Sequence, residues 1–121
     1  MPRQNLPKRF KRRADFLRLA AQGRKLVKPG FLLQAVPSAP ELRLGFTATK
    51  KLGNAVIRNR AKRRLREAAR LVLAERADCA AELVLVARRE TGTMDFAKLR
   101  RNLAQALDEV LLEKAPRGAR A

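Results

Sequence analysis

The chain has 121 residues, of which 46% are hydrophobic, and its 29 Lys and Arg against 11 Asp and Glu give a net charge of +18. This composition favours one folded domain over a disordered chain, and the charge predicts a polyanionic partner, with nucleic acid first and an anionic membrane surface second. The lack of His and the single Cys79 exclude a disulfide framework, a cysteine metal cluster and a histidine-based catalytic site.

No apolar run is long enough to span a bilayer. The N-terminal run MPRQNLPKRFKRRADF is basic but leads into no apolar stretch, so it is not a secretory signal. A mitochondrial-type transit peptide would also be basic, although Pro2 and Pro7 disfavour an amphipathic helix at the start of the chain. We expect a cytoplasmic protein that holds no metal ion or other cofactor by itself.

The first third of the chain predicts an arm, a helix and a strand. Residues 1–12 are polar, basic and contain prolines, which predicts an extended basic arm. Residues 13–22 form a helix that Gly23 ends, because the apolar side chains recur at helical spacing, namely Phe16, Leu17, Ala20 and Ala21. The run KPG at 28–30 predicts a turn, and FLLQAV at 31–36 predicts a strand.

The segment 42–50 alternates cleanly between two faces, which predicts a second strand. One face carries apolar side chains and the other carries Arg43, Gly45 and Thr47. We expect this strand to form a hairpin with the strand at 31–36. A long helix then follows, with Asn54 as its N-cap.

The remainder predicts a third strand, ELVLVAR at 82–88, and a last helix at 96–112, with 113–121 as a flexible tail. The last helix has an apolar stripe of Phe96, Leu99, Leu103, Leu107, Val110 and Leu111. The order α-β-β-α-β-α predicts an α+β fold, a single-domain two-layer sandwich of helices on a mostly antiparallel sheet. Residues 42–88 could form a parallel crossover, for which the general rule gives a right hand.

The basic run NAVIRNRAKRRLRE, residues 54–67, could be a solvated face, a disordered tail or a surface for a polyanion. Helical periodicity disfavours the tail, because one narrow arc collects Ile57, Ala61, Leu65, Ala68 and Val72. A merely solvated face is disfavoured because cations crowd the helix N-terminus, where the helix dipole favours acids. The first carboxylate of the run is Glu67. Bound phosphate would relieve this arrangement.

The run KKLGNAVIRNRAKRRLRE closely resembles the Arg-Asn-Arg motif of the bacterial ribonuclease P protein family. Ala61 departs from the larger aliphatic residue usual there. The likeness extends to RFKRRADFLRLAAQG before the first strand and to ELVLVARRETG after the long helix, and it covers roughly residues 7–112. It implies a fold similar to a domain of a small-subunit ribosomal protein, with a left-handed β-α-β crossover in place of the right-handed default.

The resemblance also implies a function, that of the non-catalytic protein subunit of an endoribonuclease. Such a subunit binds ribonuclease P RNA, one copy per RNA, and promotes removal of the 5′ leader of precursor tRNA. The RNA carries the chemistry and binds the Mg²⁺, and no membrane partner is implied. The residues expected to bind the catalytic RNA are Lys50, Lys51, Asn54, Arg58, Asn59, Arg60, Lys62, Arg63, Arg66 and Arg70.

The same resemblance implies a leader-binding cleft between the first helix and the sheet. Its expected residues are Arg9, Lys11, Arg12, Arg13, Phe16, Gln34, Arg43 and Thr47. Ala20 and Gln34 stand where relatives often have aromatics, so base stacking should be weaker here. Phe16 is balanced between core and ligand contact, whereas Phe31, Phe46 and Phe96 are expected in the core.

Two other functions fit the charge and the fold. The first is a ribosomal or other structural RNA-binding protein with no part in cleavage, and the second is a nonspecific DNA-compacting protein. The eleven acids show no paired-carboxylate pattern typical of a two-metal nuclease, which agrees with a non-catalytic protein.

Overall fold

The structure is a computed structural model, and it describes residues 8–9, 13–36, 41–76 and 80–120, the side chains of Lys8, Arg9 and 112–120 excepted. The strands are β1 Lys8–Arg9, β2 Arg24–Lys28, β3 Phe31–Val36, β4 Arg43–Thr47 and β5 Glu82–Ala87. The helices are α1 Arg13–Gln22, α2 Ala55–Leu73 and α3 Phe96–Arg120, with short 3₁₀ turns at Lys50–Leu52 and Arg89–Gly92. The rest of the predicted arm and Cys79 lie outside the described residues.

The strands form one sheet in the order β1-β4-β5-β3-β2. β2 and β3 form an antiparallel hairpin, β3 pairs antiparallel with β5, and β4 pairs in parallel with both β5 and the two-residue β1. The predicted hairpin between 31–36 and 42–50 is therefore wrong, because β5 is inserted between β3 and β4. The α+β sandwich is confirmed, with two strands more than the three expected, namely β1 and β2. The sheet is mixed and not mostly antiparallel, since two of its four pairings are parallel.

The longer of the two additional strands is β2, at one edge of the sheet. Its sequence RKLVK is short and mostly cationic, and only Leu26 packs against the core, while Val27 is 64% exposed. Charged residues are typical of edge strands, because they discourage pairing with a further strand. The main-chain pairing with β3, rather than apolar patterning, is what makes this segment a strand.

The predicted turn between β2 and β3 is confirmed, and it is fastened to the chain before α3. Gly30 has a φ of 101°, which a side chain would strain. The Gly30 N–H donates to the Glu90 carboxylate (3.3 Å), and the buried Thr91 hydroxyl donates to the Gly30 carbonyl. The Thr91 hydroxyl also accepts from the Arg88 N–H (2.7 Å), so one side chain joins two loops.

The β4–α2–β5 unit is the parallel crossover that the sequence allowed. β4 and β5 lie side by side, with Arg43 opposite Glu82 and Thr47 opposite Val86. The left hand of this crossover stays a prediction implied by the family resemblance.

One face of the sheet is covered by α2 and α3, which enclose the main core. The strands contribute large side chains such as Phe31, Leu33 and Leu85, all at most 1% exposed. The predicted stripe of α3 is confirmed for its buried members, Leu99, Leu103, Leu107 and Val110. Phe46 and Phe96 are half-buried at the margin of this core, and Phe31 is fully inside it.

The inward stripe of α2 is confirmed except at its start. Ala61, Leu65, Ala68 and Val72 are buried, but Ile57 is 47% exposed and lies outside the core cluster. Ile57 instead packs on Gly53, in the segment that leads into the helix. A Cβ at Gly53 would come within 2.9 Å of the Ile57 Cδ1 atom.

Within the described residues, the opposite face of the sheet is covered by α1, over the central strands β3 and β5. Leu19 of α1 packs on Val84 of β5, with Phe16, Val36 and Val86 around them. This second apolar cluster is small, so ionic contacts contribute to the attachment of α1.

Four charged side chains fasten α1 to the starts of β4 and β5. Arg18 donates to both oxygens of Glu82 (2.7 and 3.1 Å), and Arg43 donates to the same carboxylate (3.2 Å). Asp15 accepts from Arg43 and Arg18, both at 3.4 Å. The carboxylates are the more buried members, with Glu82 only 12% exposed in its side chain. The hydrogen bond from Arg18 lowers the pKa of Glu82, and it raises the pKa of Arg18 in turn.

The backbone of α3 continues to Arg120, beyond the helix expected at 96–112. The flexibility of residues 113–121 stays a prediction. No helix among the described residues is both long and apolar enough to cross a membrane.

Replacing Gly30 with Ala should destabilise the protein by about 1–3 kcal/mol, because φ is positive there and the core is close. The new Cβ would lie 2.5 Å from the Met94 sulfur and 2.9 Å from a Leu99 methyl. Gly92→Ala is the matched control, since a Cβ there meets nothing within 4 Å. Urea unfolding should separate the two variants, and equal stabilities would contradict the assigned turn.

Replacing Glu82 with Gln should destabilise the protein by about 1–3 kcal/mol at neutral pH, because two arginines lose a charged partner. The folded-state pKa of Glu82 is depressed, so its stabilisation is complete above the ordinary glutamate pKa and is lost as pH falls through the folded value. The difference between wild type and variant should therefore shrink in acid. The comparison requires chemical denaturation at several pH values. Glu75→Gln, at an exposed carboxylate 3.9 Å from Arg76, should change stability little at any pH.

Candidate nucleic-acid interface

The start of α2 has the local structure that its sequence predicts. Asn54 is the N-cap, and its side chain accepts from the Ile57 N–H (3.0 Å). Gly53 enters the helix with a φ of 147°. Lys50 and Lys51 are exposed on the 3₁₀ turn just before it, and no acid lies in the first turn of α2. A positive helix terminus and two lysines therefore meet at one end of the helix.

The outer surface of α2 is cationic along the half that precedes Glu67. Asn59, Arg60 and Arg63 are exposed, and Arg58 and Lys62 are half-buried against the neighbouring structure. None of the three arginines has a carboxylate partner within the described ranges of the chain. The Nε of Arg58 is buried and also lacks a hydrogen-bond partner there.

Two of the expected contact residues already have partners inside the protein. Arg66 lies over the ring of Phe46, 5.8 Å from its centroid. Arg70 donates to Glu67 one turn earlier, which lowers the pKa of that carboxyl. The side chains of Arg66, Arg70 and Glu67 are exposed, so a phosphate can compete for both arginines.

Arg64 differs from its neighbours because it braces the fold. Its guanidinium donates to the carbonyls of Gly92 (3.4 Å) and Met94, and it lies over the Phe96 ring at 5.8 Å. The sequence placed Arg64 in the same basic run as the expected contacts but did not include it among them. The structure supplies the reason, since Arg64 joins α2 to the start of α3.

The α1 face holds the described members of the expected leader cleft. β-strand alternation puts Gln34, Arg43 and Thr47 on the side of the sheet that α1 covers. Phe16 is half-buried in the cluster with Leu19, and Arg13 is exposed at the first position of α1. Only the backbone of Arg9 is described, and Lys11 and Arg12 lie outside the described residues.

Two cleft residues are less accessible than the sequence suggested. Gln34 is 8% exposed, because its position in β3 lies between β5 and β2 beneath the helix. Arg43 is held by Glu82 and Asp15, in the network that fastens α1. Sequence reasoning missed Asp15, Arg18 and Glu82 as parts of this face. The spacing of Asp15 and Arg18 by one helical turn was a usable signal, whereas nothing local marked Glu82.

The described residues offer no group of three acidic or thiol side chains that could hold a metal ion. The chain also contains no His. The donors present therefore do not fit a metal centre within the described residues.

Comparisons with known proteins identify the family of this chain. The family model described as Ribonuclease P matches residues 3–111. The ribonuclease P protein component of Paramagnetospirillum magneticum is 46% identical over 108 residues, covering 84% of this chain and 81% of that protein. That of Gluconacetobacter diazotrophicus is 48% identical over 101 residues, covering 82% and 87%.

Solved structures show the same fold. The RNase P protein of Staphylococcus aureus superposes with a TM-score of 0.69 at 28% identity, over 85% of this chain and 94% of that one. The RNase P protein of Thermotoga maritima gives 0.68 at 25% identity, over 84% and 96%. With a family model across most of its length, relatives approaching half identity and a shared fold, this chain belongs to the ribonuclease P protein component family.

Proposed function

We propose that this chain is the RNA-binding subunit of a ribonuclease P ribonucleoprotein that removes the 5′ leader from precursor tRNA. In this proposal α2 binds the catalytic RNA, the α1 face binds the leader, and the RNA performs the hydrolysis with its own Mg²⁺. One protein copy joins one RNA in the cytoplasm.

The observation that carries the proposal is the unopposed charge on the first half of α2. Arg58, Arg60 and Arg63 have no carboxylate partner within the described residues, in a family named for an RNA-processing enzyme. Guanidinium groups match phosphate oxygens in geometry as well as charge. A phosphate near the N-terminus of α2 would also accept from free N–H groups and interact favourably with the helix dipole.

The α1 face supports the second part of the proposal. It combines a half-buried ring, Phe16, with a nearly buried amide, Gln34, and an exposed cation at Arg13. Single-stranded RNA is commonly bound by a few stacking surfaces in a basic groove. With one described aromatic side chain on this face, stacking contributes less here than in a cleft with several rings.

The principal test adds the protein to a bacterial ribonuclease P RNA and a precursor tRNA at low Mg²⁺. Cleavage should rise steeply, because the protein neutralises phosphates that Mg²⁺ would otherwise have to screen. The measurement is the rate of 5′ leader release over a Mg²⁺ series, with and without protein. An unchanged Mg²⁺ requirement would refute the proposal. Equal affinity for an unrelated structured RNA would favour a structural RNA-binding protein, and a preference for duplex DNA would favour a compacting protein.

Arg58→Ala and Arg60→Ala should each weaken binding to the catalytic RNA by about tenfold or more, because each loses charged hydrogen bonds to phosphate. Phe16→Ala should leave that affinity nearly unchanged. It should instead reduce the preference of the assembled enzyme for precursor tRNA over leaderless tRNA by about fivefold or more, since base stacking is lost.

Two controls make this division of labour testable. Lys98→Ala removes an exposed cation from α3 and should leave both affinities close to those of wild type. Phe16→Leu retains most of the apolar burial, so it separates lost stacking from a loosened α1. If the Arg58 and Phe16 variants affect both affinities equally, the assignment of separate surfaces is wrong.

A further inference from the structure

α2 and α3 run side by side in the same direction and leave a groove between them. Arg64 of α2 lies over the Phe96 ring at the start of α3, and twelve residues further along α3 Asp108 accepts from Arg76, which follows the end of α2 (2.9 and 3.0 Å). At 1.5 Å per residue these two braces are about 18 Å apart. Contacts therefore join the two sides of the groove at two points along α3.

The groove contains two open depressions. One, of about 380 Å³, is lined by Arg60, Arg63, Arg64, Glu67 and Phe96. The other, of about 300 Å³, includes Arg76, Arg100 and Arg101 in its lining. The first depression includes two of the residues expected to bind the catalytic RNA, so the groove continues that surface onto α3.

The acids along the groove are already occupied. Glu67 accepts from Arg70, and Glu75 and Asp108 both pair with Arg76. Four exposed arginines along it therefore have neither an ion-pair nor a hydrogen-bond partner in the described part of the chain, namely Arg60, Arg63, Arg100 and Arg101. In a helix pair that only faces solvent, acids placed among the bases would stabilise both helices. Here the acids already have partners, and these four arginines remain as excess positive charge.

We propose that the groove between α2 and α3 is a further RNA-binding surface, in which Arg100 and Arg101 bind phosphodiester groups of a strand that also contacts Arg60 and Arg63. The proposal rests on the RNA-binding function proposed above and extends it to a helix outside the basic motif. The planar guanidinium fork suits phosphate oxygens, and the Phe96 ring gives a sugar or base an apolar surface at one end. The strand belongs to the catalytic RNA, because the groove continues the surface of α2 that is proposed to bind that RNA.

The test replaces Arg100 and Arg101 with Gln, singly and together, and uses Lys98→Gln as the matched control. Lys98 is exposed on the same helix but does not line either depression. Each arginine variant should weaken RNA binding by about threefold to tenfold and reduce the slope of log affinity against log salt by about 1. Thermal unfolding should be unchanged, because both side chains are exposed.

Two binding measurements distinguish the source of the strand. Loss of affinity for bacterial ribonuclease P RNA alone is the expected result. Loss only in precursor tRNA binding by the assembled enzyme would overturn the assignment to the catalytic RNA. The groove proposal would be overturned if the arginine variants matched wild type in both binding measurements, or if Lys98→Gln lost as much affinity as they did. Either result would leave the proposed function intact. A wild-type protein that fails to activate the RNA would instead overturn the proposed function.

Discussion

The packing of α2 on the sheet is the constraint on which the rest of the structure depends. One stripe of the helix must be apolar and narrow, and small side chains such as Ala61, Ala68 and Ala69 let it lie close to β4, β5 and α3. Burying Leu65 and Val72 stabilises the helix by about 1.5–3 kcal/mol each, while a like-charge pair at helical spacing costs about 0.2–0.5 kcal/mol. The core can therefore hold a helix whose remaining surface is cationic, and it presents those cations at fixed spacing.

The two faces of the sheet differ in charge as well as in cover. On the α1 side Asp15 and Glu82 offset Arg18 and Arg43, so these four ions attach a helix and balance one another. On the α2–α3 side the acids pair with Arg70 and Arg76, and the other arginines remain unopposed by any described carboxylate. This asymmetry matches the proposed roles, since a folded RNA presents dense phosphate and a single-stranded leader also presents bases.

Sequence patterning predicted the elements that combine strong periodicity with clear ends. α2 has its cap at Asn54 and its buried stripe from Ala61 onward, and β5 is a continuous apolar run. The sequence of β2 does not predict a strand because it is short and charged, and the predicted hairpin is wrong because neighbours in sequence need not be neighbours in the sheet. Strand order depends on which pairing buries most apolar surface, which no local pattern encodes.

The sequence by itself determined the class of partner, the family and the cationic helix, because net charge, motif spacing and helical periodicity are properties of the chain order. Tertiary structure decided which cations are free. Arg64 and Arg66 belong to one run, yet Arg64 braces Gly92 and Met94 because only folding brings α3 beside it. Likewise Glu82 meets Arg18 across 64 positions of sequence. Contacts of that range arise from the sheet order, so they can be read only after the strands are in place.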